Sequence, residues 1–118
     1  MKVKALLAAA ALAVSTPALA ANTKAQDNAA MATVVYVTAK TVCNLSAEED
    51  RTLKGMSTYV IEGSGFSWDE MIGNKTYVGP FLVDHPIYMQ AVDRDPIAVG
   101  SVCGAVRAMI ANNKGFSR

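Results

Sequence analysis

Along most of the chain the apolar residues recur at steps of three and four, the spacing that places them on one face of a helix. From Asp27 to Asn44 the positions Met31, Val35, Thr38, Val42 and Leu45 follow this period. The run Val34-Val35-Tyr36-Val37-Thr38 has strand propensity, but the length of the segment and its Ala-rich flank favour a helix. A second helix starts at Ser46, three residues before Glu49. In such a capping box each side chain satisfies a free backbone N–H at the other's position. Glu48, Glu49 and Asp50 suit the positive end of its dipole, and Leu53, Met56 and Val60 form its expected buried stripe. Gly63-Ser64-Gly65 stops it.

Ser67 and Glu70 repeat the box, with Phe66 and Met71 placed for a hydrophobic staple and Gly73-Asn74 ending a short helix. Residues 75–83 are apolar but interrupted by Gly79-Pro80, which predicts a packed loop or broken helix. Pro86 and Pro96 each stand at a plausible first helical position. The first opens a short helix to about Val92. The second opens a long one to about Asn113, with Val99, Val102, Cys103, Val106 and Ile110 on one face and Gly115 as its cap. Gly100, Gly104 and Ala108 at four-residue spacing predict a closely packed neighbour helix. The expectation is an all-α domain, a small four- or five-helix bundle with one long-range disulfide.

Residues 1–20 have a different pattern, that of a cleaved secretory signal peptide. Lys2 and Lys4 precede the apolar stretch Ala5 to Val14, Pro17 breaks it, and Ala18-Leu19-Ala20 is a small-x-small cleavage pattern. Ten apolar residues reach about 15 Å as a helix, half a hydrocarbon core, so no membrane anchor is expected after cleavage. The Ala-rich style points to bacterial export, hence a periplasmic or secreted protein. The remaining residues, 21–118, suffice for one domain, with 21–26 expected to be disordered.

Export changes the meaning of the two cysteines. Cys43 and Cys103 are an even pair bound for an oxidising compartment, too far apart in sequence for a redox C-x-x-C motif. A disulfide closing about 60 residues contributes roughly 4 kcal/mol in the chain-entropy model. It would tie the end of the first long helix to the last.

Charge removes other classes. The 118 residues hold 11 Lys and Arg against 10 Asp and Glu, so no basic face for nucleic acid is expected. The distribution is uneven. Acids predominate from Glu48 to Asp95, whereas Pro96 to Arg118 has bases and no acids. Either the positive residues of the tail serve the C-terminal end of the last helix, or the two segments meet partner surfaces of opposite sign.

Catalytic and metal chemistry find little support. His85 is the single imidazole, which excludes a site built on two His ligands. Ser67, His85 and Asp84 could be imagined as a triad, but no Ser lies in a Gly-x-Ser-x-Gly elbow. Asp93-x-Asp95 lacks the glycine and closing glutamate of a calcium loop, and Gly63-Ser64-Gly65 lacks the lysine of a phosphate loop. Two glycosylation sequons, at Asn44 and Asn74, have no role in a bacterial export route. No catalytic residue, metal or cofactor is therefore expected.

The gross plan resembles that of periplasmic acid-stress chaperones and of secreted-toxin immunity proteins, without any shared motif. By subtraction the leading expectation is a non-catalytic exported protein that binds another protein, of the immunity, inhibitor or adaptor type. Trp68, Tyr77, Phe81 and Tyr88 are its candidate anchors, because aromatics concentrate in interface cores. The alternatives are an acid-stress holdase and a carrier of a small ligand, the latter recognisable by an apolar cavity among the helices.

Overall fold

Thr23 starts the first described helix with a capping box of its own. Its hydroxyl accepts from the Gln26 N–H at 3.1 Å, and Gln26 Oε1 accepts from the Thr23 N–H at 2.9 Å. The computed structural model describes residues 22–73 and 75–117, among which there are six α-helices and no strand. The signal-peptide reading of residues 1–20 lies outside them. Residues 22–26, expected to be disordered, instead start the first helix. Besides the box, the Asn22 side-chain amide donates to the Tyr77 carbonyl at 2.8 Å.

Helix α1 spans Lys24–Val42 and α2 Ala47–Gly63. Next come the single turn α3, Trp68–Met71, then α4, Lys75–Asp84, and α5, Ile87–Val92. Helix α6 spans Pro96–Ala111, and a 3-10 turn, Lys114–Ser117, packs back on α2. The boxes of Ser46 with Glu49 and Ser67 with Glu70 both form. Asp95 caps α6 by accepting from the Ala98 N–H at 2.9 Å, with Pro96 following. Helix α2 closes on Gly65, whose φ of +93° a side chain would resist; the Phe66 N–H returns to the Ile61 carbonyl.

Helix α1 is the axis of the fold, packing on each of the other five helices. Its buried residues therefore lie all round, from Ala29, Ala30 and Thr33 to Tyr36, Thr38 and Val42. This corrects the expected single stripe, since Met31 is exposed and Val35 and Leu45 are half-buried. On α2 the buried set is Thr52, Leu53, Ser57 and Ile61, with Met56 and Val60 only half-buried.

Residues 75–83 are one helix rather than a loop, with Pro80 inside. Pro80 sacrifices one hydrogen bond, to the Thr76 carbonyl, while Phe81 beside it is only 3% exposed and anchors the helix. Gly115 lies within the 3-10 turn, and Asn112 caps α6 instead. The small-residue row faces no neighbouring helix: Gly100, Gly104 and Ala108 are exposed, and a methyl at either glycine would meet nothing within 4 Å. Helix α6 packs through Ala98, Val102, Cys103, Val106 and Ile110.

Two apolar clusters result. One gathers the C-terminal half of α1 with Leu53, Ala91 and the buried face of α6; the other gathers Ala29, Ala30 and Val34 with Ile61, Met71 and Phe81. Trp68 and Tyr88 pack against both. Cys43 and Cys103 are bonded within the first cluster, with their Cα atoms 5.4 Å apart.

Candidate functional site

The four aromatic residues expected to anchor a partner all take part in the packing of the fold. Phe81 is buried, while Trp68, Tyr77 and Tyr88 are half-buried against the core. Trp68 meets the Tyr36 ring edge-on at 5.1 Å, Tyr77 leans on Phe66 at 5.4 Å, and Tyr88 on Phe81 at 5.8 Å. They form no exposed patch. The physical reason is that a small domain with an Ala-rich central helix needs large side chains to fill the space around it. Tyr88 also lines an open groove, and burial raises the pKa of its phenol above the ordinary value.

The residues considered for chemistry are likewise engaged locally. His85 stacks on Phe81 at 4.1 Å, and its Nδ1 donates to the Phe81 carbonyl at 3.0 Å. The Ser67 hydroxyl caps α3, and Asp95 caps α6. Among the described residues no three His, Cys, Asp or Glu side chains gather where an ion could be held.

One ion pair joins the acidic middle of the chain to its basic end. Arg107 of α6 donates to the Cys43 carbonyl, to the Asn44 carbonyl at 3.4 Å and to Glu49 Oε2 at 3.3 Å. Glu49 is held below the usual carboxylate range by the Ser46 backbone N–H first and by Arg107 as well. Lys40 meets Asp50 at 3.2 Å, and Asp50 also accepts from the Tyr36 hydroxyl at 2.9 Å. A polar recess of about 230 Å³ beside Glu48, Glu49, Arg107 and Lys114 is crossed by one of these pairs and so is neutralised from within.

One feature is not absorbed by the fold. Between α1, α4 and α5 runs a half-open groove of about 240 Å³. Thr33, Val34, Val37 and Thr38 of α1 line it, with Val78 and Leu82 of α4 and Tyr88, Met89 and Val92 of α5. Val37 and Met89 are each 45% exposed and Val92 39%, which is unusual for large apolar side chains gathered in one place.

Two polar groups punctuate it. Lys75, exposed on the first turn of α4, is its one charged lining residue, and no described carboxylate lies within ion-pair distance. Thr38 is 4% exposed, and its hydroxyl has no hydrogen-bond partner among the described residues. Thr33, by contrast, returns its hydroxyl to the Ala29 carbonyl at 2.8 Å. An apolar cleft with a few polar groups is the common form of a small-molecule site.

The run from Val34 to Thr38 is apolar on both sides of the helix, because one side faces the core and the other the groove. No described helix is long and apolar enough to cross a membrane. Compared with models of known families, with curated proteins and with solved structures, the chain matches none.

Proposed function

We propose that this chain is an exported, non-catalytic carrier of a small apolar ligand, held in the groove between α1, α4 and α5. The observation that carries the reading is a continuous apolar lining that no part of the described chain covers. The Cys43–Cys103 bond supports an oxidising destination. Local engagement of His85, Ser67 and Asp95 supports a binding role over a catalytic one.

The test is an uncharged naphthylamine dye that fluoresces in apolar surroundings. One dye per chain should bind, and Met89→Arg should abolish binding with the melting temperature unchanged, since Met89 is an exposed rim residue. A dye that ignores the protein, or that binds Met89→Arg equally well, overturns the reading.

A second reading, docking of a protein partner, is favoured by the exposed rim formed by Val37, Met89 and Val92. It would replace the first if the dye stays dark while a photo-crosslinker at position 37 joins one defined protein and the same crosslinker at exposed Tyr59 does not.

A further inference from the structure

We infer that the ligand is a free single-chain amphiphile of about ten carbons bearing an anionic head, and that Lys75 receives that head. The inference rests on the groove being a ligand site and adds the chemistry of its occupant.

Size sets the body. A cavity of about 150 Å³ holds a six-carbon ring, so about 240 Å³ accommodates some ten carbons in proportion. Shape favours a chain over a compact ring, because Lys75, Val78 and Leu82 line the groove along about 10 Å of α4. A bilayer lipid with two long chains does not fit this volume. The walls are aliphatic, from Val34, Val37, Leu82 and Val92, and match a hydrocarbon.

Charge sets the head. Lys75 is the only ionic group lining the groove and has no described carboxylate beside it, whereas Lys40 and Arg107 are each paired. Thr38 adds a second handle. A hydroxyl buried without a partner is costly, and an acceptor atom on the ligand would satisfy it. An apolar tail, an anionic end and oxygen acceptors together describe a medium-chain carboxylate.

The experiment titrates the oxidised protein with decanoate, decanol and decyltrimethylammonium, each below its micelle concentration. Calorimetry gives affinity, and methyl chemical shifts of Val37, Met89 and Val92 give location. Decanoate should bind about fivefold tighter than the ammonium analogue, as expected for one partly exposed ion pair. Lys75→Glu should invert that order and leave decanol unchanged. Glutamate suits a first helical turn, so the variant keeps its fold, and Lys75→Gln should level the two ions. Equal binding of all three probes, or a preference that survives Lys75→Glu, overturns the inference while the carrier reading stands. No shift at the three methyls with any probe overturns both.

Discussion

Arg107 stands one helical turn beyond Cys103 on α6 and donates to the carbonyl of Cys43, the residue to which Cys103 is bonded. One helix thus holds the end of α1 twice, once covalently and once by a charged hydrogen bond. The same guanidinium reaches Glu49 in the box that starts α2, so the junction between α1 and α2 is fastened from outside.

Replacing both cysteines by alanine should cost about 4 kcal/mol, the value expected for a closed loop of this length. Arg107→Ala should cost roughly 1 kcal/mol, because its side chain is 45% exposed and screened by water. Urea unfolding of the two variants and their combination measures both. The combined loss should fall short of the sum by at least about 0.5 kcal/mol if the two fastenings act on one junction.

Arg94 has a φ of +70° at the end of α5, where the Asp95 N–H closes on the Gln90 carbonyl. A side chain in that conformation is strained, and glycine is the usual occupant. Arg94→Gly should raise stability by about 1 kcal/mol, since its one long contact, to the Thr41 carbonyl at 3.4 Å, contributes little. A thermal melt showing no gain would mean that this contact is stronger than its length implies.

Thr38→Val separates the fold from its use. Removing an unpartnered buried hydroxyl should stabilise the protein by about 1 kcal/mol in denaturant titration. If that hydroxyl serves a ligand, decanoate should bind more weakly to the stabler protein. Destabilisation would instead reveal that the hydroxyl is already satisfied.

Acid should loosen the start of α2. Glu49 is held below its ordinary value, so its stabilising effect is complete above about pH 4.5 and is lost as the pH falls through the lower folded value. Glu49→Gln keeps the capping geometry but cannot titrate. Its melting temperature should therefore fall less between about pH 5 and pH 3 than that of the unchanged protein.

The parts of the fold that depend on neighbouring residues were legible in the sequence. Ser46 with Glu49, Ser67 with Glu70, and Asp95 before Pro96 each start a helix through contacts three residues apart. The cysteine bond was legible from an even, widely spaced pair in a chain whose start reads as an export signal. The Thr23–Gln26 box escaped notice because glutamine stands where the other two boxes have glutamate. The direction taken by Trp68, Tyr77, Phe81 and Tyr88 was not legible, because an aromatic side chain fits a core and an interface equally well. The groove was hidden for a related reason. It is a space left between two helices that both lean on α1, and local periodicity carries no record of such a gap.

Because α1 is the shared wall of the whole bundle, the order in which the chain becomes available matters. Among the described α-helices, the first in chain order is the one that packs on all the others. Its β-prone stretch from Val34 to Thr38 is covered in stages, Val34 by the cluster of Ile61, Met71 and Phe81 and Tyr36 by the cluster that α6 completes. The cluster around Tyr36 is therefore complete only with α6, so the last of the described α-helices sets when that half of the bundle closes.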